Sequence, residues 1–251
     1  MSRAGWIRFL LIAILVLGLE VACRAGWVDP VAVIPPSAML QGAWALLVSG
    51  KYTSHMMLTL SSVAIAFSLA VIVGFCLGWL LYRLPRLRHA ADPLLASYYA
   101  VPTFIFYPLF IVLFGLNRWP LIAIGFIFAF VAMALNTLQG FERVPQVLRR
   151  TARVMRLSTF QEMVYIVFPA CAPYLFTGLK LAVVYAFIGV IAGEFVLSGA
   201  GFGFDIAFAY NSFDNATMYG LMILLLGFVG ALNMLLYRWE RRMYLRHTGQ
   251  A

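Results

Sequence analysis

Charge is scarce in this sequence, and negative charge scarcest: Asp and Glu number nine against 18 Lys and Arg, and charged residues form 11% of the 251. A soluble domain carries about 25% charged residues. With 64% of the residues hydrophobic, this deficit excludes water as the principal solvent. The three histidines, His55, His89 and His247, are scattered, which supports neither a metal site nor a proton relay. The three cysteines, Cys23, Cys76 and Cys171, are odd in number, lie in or beside apolar segments and read as packing residues. No Gly-x-x-x-x-Gly-Lys-Ser/Thr phosphate loop occurs, so the chain does not by itself cradle ATP in the usual way. No cluster of His, Cys, Asp or Glu provides a nucleophile with its base, which argues against an intramembrane enzyme. Polar linkers are missing as well, and residues 1–251 read as a single integral membrane domain.

What the sequence has in abundance is apolar length. A bilayer core about 30 Å thick needs about 20 helical residues to cross it. Backbone polar groups in lipid must pair internally, so helices are the expected element. Six segments qualify, 7–23, 58–82, 94–116, 119–138, 173–197 and 218–237, which predicts an all-α polytopic membrane bundle with six transmembrane helices. The first, flanked by Arg3 and Arg8, has features of a secretory signal but is expected to remain as a span, because the chain after it is also membrane-embedded.

The formal charge of +9 lies in short clusters between the spans and marks topology, with no nucleic-acid partner implied. Three basic groups fall on one side: Arg83, Arg86 and Arg88; Arg143, Arg149, Arg150, Arg153 and Arg156; Arg238, Arg241, Arg242 and Arg246. The other side has Arg24, Lys51 and Arg118, so the positive-inside rule places both termini in the cytoplasm. The outer segment 24–54, with Pro30, Pro35, Pro36, Trp27 and Trp44, reads as a loop and a surface helix. Gly74 with Gly78 and Gly189 with Gly193 put small residues four apart, where spans can approach closely.

The inner loop 139–172 is longer and more patterned than a connector requires. Leu148, Ala152 and Met155 recur on one helical face and Arg149, Arg153 and Arg156 on another, predicting a short amphipathic helix. Ser158 followed by Gln161 fits a capping box that starts a second short helix at Thr159, which Pro169 is expected to end. Such a knob suits docking into another protein, and its arginines suit anionic lipid equally well.

At this loop the sequence resembles the permease subunits of type I ABC importers, in particular the nitrate, taurine and alkanesulfonate branch, over a core of about 59–237. The family signature runs Glu-Ala-Ala, three residues, Gly, nine residues, Ile, one residue, Leu-Pro. Aligned on Pro169 it assigns Ile166 and Phe168 to its end and Ala152 to its second alanine. Ser158, Gln161, Pro173-Tyr174, Thr177-Gly178-Leu179, Glu194 and Gly199-Ala200-Gly201-Phe202-Gly203 fit the branch further. So do Asp92-Pro93-Leu94, Val101-Pro102, Pro108-Leu109, Phe114-Gly115 and Asn136-Thr137 upstream. Arg150 departs from the acidic position and Arg156 from the glycine position, so the turn between the short helices is expected to differ in geometry. These departures also suggest pairing with a second, more typical permease.

The resemblance implies a bacterial inner-membrane permease that has no cofactor of its own. ATP and Mg would sit on separate ABC ATPase subunits gripping Arg149, Arg150, Ala152, Arg153, Arg156, Leu157, Ser158, Gln161, Phe168 and Pro169. It implies further partners in a second permease copy or homologous permease and in a periplasmic binding protein delivering a nitrate-, sulfonate- or taurine-type anion. A pyrimidine or vitamin precursor is the alternative cargo, and an ion-coupled secondary transporter the alternative class. Candidates for the path or its gate are Tyr98, Tyr99, Pro102, Asn136, Tyr185, Glu194, Gly199, Gly201 and Gly203. Glu194 reads as a gate group or as an interfacial, helix-pairing carboxylate, and the tyrosines as pore or packing groups. Lys180 is expected to snorkel, and Asp205 and Asp214 to face solvent.

Overall fold

The computed structural model describes residues 3–29 and 32–247, excluding the side chains of residues 3–5, 8, 9, 99 and 241–247. Pro30 and the side chains of Arg3, Arg8, Tyr99, Arg241, Arg242 and Arg246 therefore lie outside the described residues. Every regular element among the described residues is helical. In chain order these are α1 (Arg3–Arg24), α2 (Pro36–Ser49), α3 (Thr53–Arg83), α4 (Pro85–Ser97), α5 (Tyr107–Phe114), α6 (Trp119–Glu142), α7 (Gln146–Val154), α8 (Thr159–Glu162), α9 (Phe168–Leu197), α10 (Phe202–Asn211) and α11 (Asn215–His247).

Among the described residues, four stretches are long and apolar enough to cross a bilayer: Thr53–Arg83, Trp119–Glu142, Thr159–Leu197 and Asn215–Glu240. The count of six spans is not confirmed. The expected third span, 94–116, is not one helix. It breaks after α4 into the 3-10 turns Tyr98–Ala100 and Thr103–Phe106 before α5 begins. Pro102 is the cause: it offers no N–H and pushes Val101 out of the helical region, to φ −86 and ψ 121. The apolar remainder, Thr103–Phe114, is too short to span. Tyr98 braces the break by donating its hydroxyl hydrogen to the Ile127 carbonyl of α6 at 2.6 Å.

The chain divides into two compact units, one of Met1–Leu58 and Glu194–Ala231, the other of Thr59–Gly193 and Leu232–Ala251. In the first, Glu20 of α1 accepts from the Ser37 backbone N–H at 3.0 Å and from its hydroxyl at 2.7 Å, serving orphan donors at the start of α2. Phe202, Ile206 and Ala209 of α10 pack with Met218 and Leu221 of α11 as the core of this unit.

The second unit is organised on α6, of whose apolar window 61% is buried, against 28% for α3. Small residues let its neighbours come close. A Cβ placed on Gly74 of α3 would stand 2.5 Å from the Phe130 carbonyl oxygen, and one on Gly78 2.5 Å from that of Ala134. One on Gly189 of α9 would stand 2.7 Å from the Gly125 Cα. The glycine spacing seen in the sequence thus marks two helix crossings on α6. Aromatic packing fills the space nearby, with Phe104, Phe110 and Phe128 around Tyr107, Leu121 and Ile124.

This packing makes a specific demand on methyl groups. Gly74→Ala and Gly78→Ala are expected to lower stability by about 1–3 kcal/mol each through overpacking. Gly227→Ala, where a Cβ meets open space, should leave it unchanged or slightly raised. Thermal unfolding of the purified chain in mild detergent checks this, and equal melting temperatures for all three would refute the crossings.

Candidate functional site

The segment after α6 folds as a rigid hairpin of short helices. Pro145, extended at φ −56 and ψ 132, leads into α7. At its far end the N–H of Leu157 donates to the Ala152 carbonyl at 3.0 Å and that of Arg156 to the Arg153 carbonyl at 3.1 Å. Arg156 itself has φ 51. This is a Schellman closure with a left-handed residue where the family signature has glycine. The expectation of a different turn geometry is therefore corrected: Arg156 accepts the left-handed conformation, at a cost of about 1–2 kcal/mol, because both helix-end carbonyls are satisfied by it.

The capping box forms as expected, with the Gln161 N–H donating to Ser158 Oγ at 3.3 Å and the Ser158 N–H to Gln161 Oε1 at 2.9 Å. Pro169 does not end the helix it was expected to end. A π turn over Met163–Val167 joins α8 to α9, and the Phe168 N–H bonds the Met163 carbonyl five residues back. The extra residue widens the ladder just before Pro169, where an α-helical register would drive the ring into a carbonyl. The helical path is consequently continuous from Thr159 to Leu197, and the loop is shorter than 139–172.

The face of α7 that the sequence marked as apolar is also corrected. Only Ala152 is buried, at 1% exposure, while Leu148 and Met155 are exposed. The reason is Arg149, which turns inward on the same side. Its guanidinium donates to the Phe141 carbonyl at 3.1 Å, at the C-terminal end of α6, and lies over the Tyr82 ring of α3, 5.4 Å from the centroid. A cation is favoured there by the helix-end carbonyls and the ring face. Below it Phe141, Val144, Val167 and Cys171 form a cluster packed by Phe75, Tyr82 and Phe168, which places Phe168 under the hairpin, while Pro169 is half-buried. Arg143 donates to the Tyr174 hydroxyl at 3.1 Å, and Arg88 of α4 pairs with Glu142.

Arg150, Arg153, Arg156, Ser158 and Gln161 remain exposed and Leu157 half-buried. Sequence reasoning missed the apolar groups beside them: Val154 is 83% exposed and Phe160 77%, with Val147 two helical turns before Val154 on the same face. Val147 and Val154 are seven apart, a signal that was present.

The other candidates divide between the units. Tyr98 is committed to the α6 backbone, Pro102 makes the break, and Asn136 donates to the Ala132 carbonyl of its own helix at 2.8 Å. Tyr185 is half-buried in α9. Lys180, expected to snorkel, instead pairs with Glu240 of α11 at 2.7 Å. In the other unit Glu194 is 1% exposed and accepts from the Gly203 N–H at 2.9 Å. Its carboxylate thus sits at the N-terminus of α10, where negative charge is favoured. Gly201 precedes α10 at φ 110, and a Cβ there would lie 2.4–2.7 Å from that carboxylate. Ser198 donates to the Ala200 carbonyl at 2.7 Å, so the glycine loop is wound tightly, while Gly199 faces open space.

Asp205, expected in solvent, is buried and meets His55 Nδ1 at 2.8 Å. Burial pushes its carboxyl above the ordinary carboxylate range, and the bond to His55 and the charge of Lys51 pull it back. Asp214 does stay exposed, and hydrogen bonds from the Thr217 side chain and then its backbone N–H hold its carboxyl below the ordinary range.

The glycine loop yields a paired prediction. Gly201→Ala should lower the melting temperature of the detergent-solubilised chain through clash and a disfavoured φ together, a loss of at least about 2 kcal/mol. Gly199→Ala should change it by less than about 0.5 kcal/mol. Similar losses for both would remove Glu194 from the cap.

Comparison with known proteins places this arrangement. The chain is 31% identical over 206 residues to a nitrate import permease protein, NrtB, of Leptolyngbya laminosa, covering 78% of this chain and 74% of that one. It is 34% identical over 193 residues to a bicarbonate transport system permease protein, CmpB, of Synechococcus elongatus, covering 75% and 68%. Its fold matches a chain of the inward-facing MetNI methionine ABC transporter at a TM-score of 0.64 and 18% identity, covering 74% of this chain and 92% of that one. Residues 66–246 match the family of binding-protein-dependent transport system inner membrane components. The chain belongs to that family and is an inner-membrane permease of the type I ABC importers.

Proposed function

We propose that this permease carries a small oxyanion inward, taking it from a periplasmic binding protein and drawing energy from ATPase subunits that dock on α7 and α8. The observation that carries the reading is the anchored hairpin: α7 presents Arg150, Arg153 and Val154 outward while Arg149 ties its inner side to the ends of α3 and α6. A push on α7 is thereby delivered to two spanning helices as a rigid-body displacement, the kind of differential contact that biases a two-state bundle. ATP and Mg belong on the partner, and both termini and the hairpin belong in the cytoplasm, following the positive-inside rule.

The cargo reading draws on the nitrate and bicarbonate relatives, whose named substrates are both small, singly charged oxyanions. Sulfonates share that headgroup chemistry. The placement of Glu194 supports it as well, because a carboxylate engaged at the start of α10 does not present bare negative charge to an anion. Its role in gating is then indirect, holding the glycine loop and α10 together.

Affinity purification of the C-terminally tagged chain from its native membrane should recover a nucleotide-binding ATPase in stoichiometric amount, with one further permease copy or homologue. Proteoliposomes of that complex with its binding protein should accumulate labelled nitrate, bicarbonate or taurine only with ATP inside the compartment bearing the ATPase. Recovery of the chain alone, or uptake driven by an ion gradient without ATP, would contradict the proposal.

A further inference from the structure

The outward surface of the hairpin has a composition that restricts its partner. On α7, residues 147, 150 and 154 share the side opposite Ala152, the residue that seats the helix on the protein. Val147 and Val154 form an apolar strip there, Arg150 lies between them, Arg153 flanks it, and Met155, Arg156 and Phe160 extend it around the turn, all exposed. Opposing charge is scarce. Glu142 is engaged by Arg88, and Glu162 of α8, half-buried, is the other carboxylate between 139 and 172. Arg149, the one cation of α7 with a partner, finds a carbonyl and a ring, not a carboxylate.

Resting on the proposed ATPase docking, we infer that the groove receiving this hairpin is apolar at its floor and carboxylate-lined at its rim, with at least one Asp or Glu of the ATPase facing Arg150 and Arg153. Three guanidinium groups set around exposed valines and a phenylalanine cannot be buried in a neutral or basic groove without leaving desolvated charge unpaired. A lipid surface fits less well, since α7 turns its inner side to the ends of the spanning helices α3 and α6 and its Val147 and Val154 strip to the opposite side. Where the family signature has an acidic residue this chain has Arg150, so an ATPase matched to this hairpin carries the complementary sign there.

The test uses the full chain co-expressed with the ATPase recovered with it. Carbodiimide, which joins an amine to a touching carboxylate, should link the Arg150→Lys or Arg153→Lys variant to an Asp or Glu of the ATPase, located by mass spectrometry. Reversal by Arg150→Glu with Arg153→Glu should weaken ATPase retention roughly tenfold at low salt, and retention of the wild-type complex should fall with rising salt. Arg118→Glu, on an exposed arginine at the start of α6, should leave retention unchanged. Should the double variant fail to reach the membrane, the cross-linking and the salt dependence of the wild type still decide. An ATPase retained by wild type and double variant alike, with no carboxylate cross-link, overturns the charge assignment and leaves the docking reading standing. A double variant that keeps its ATPase but loses co-purified phosphatidylglycerol assigns the arginines to lipid and overturns it too. Absence of any ATPase with the wild type overturns both.

Discussion

A helix that breaks or ends leaves backbone N–H and C=O groups without intrahelical partners, in hydrocarbon and at its surface alike, and several side chains stand where this fold is irregular. Where Pro102 breaks the path between α4 and α5, Tyr98 bonds the α6 backbone. Where α10 begins, Glu194 takes the Gly203 N–H. Where α6 ends, Arg149 serves the Phe141 carbonyl, and where α7 ends, the left-handed Arg156 closes two bonds. The same groups that satisfy the backbone also fix the geometry of the α7–α8 hairpin and of the glycine loop.

The coupling proposed above uses that arrangement. Movement of α7 is resisted by Arg149 against α3 and α6, by the aromatic cluster of Phe75, Phe141 and Phe168 beneath it, and by Arg143 on Tyr174 of α9. Close-packed interiors pass displacement on and do not absorb it. With Gly74, Gly78 and Gly189 bringing α3 and α9 against α6, the second unit has few ways to yield other than by shifting its helices as bodies.

Most of the fold was legible because apolar length and small-residue spacing are direct consequences of a lipid solvent. The capping box at Ser158 was legible for a related reason, since two residue types three apart specify it locally. The broken segment at 94–116 was misread because its apolar content outweighed Pro102 and Pro108 in a count of span length, although Pro102 disfavours a helical Val101. Pro169 was misread in the opposite sense: a proline that normally closes a helix was accommodated by a π turn no local pattern announces. At the site, periodicity found α7 and grouped Leu148, Ala152 and Met155 on one apolar face, but a pattern of apolarity does not reveal that Arg149 will be drawn inward by a helix-end carbonyl and a tyrosine ring. Glu194 and the His55–Asp205 pair depend on residues 9 and 150 positions apart, the second beyond any sequence window.

In the importer as proposed, the ATPase covers the Val147 and Val154 side of α7. Accessibility of a Val154→Cys variant to a maleimide, with Cys23, Cys76 and Cys171 replaced, measures this directly in the chain alone and in the assembled complex. Rapid labelling of the isolated permease is expected, and strong protection, at least about tenfold, once the ATPase is bound. Equal labelling in the two states would contradict it.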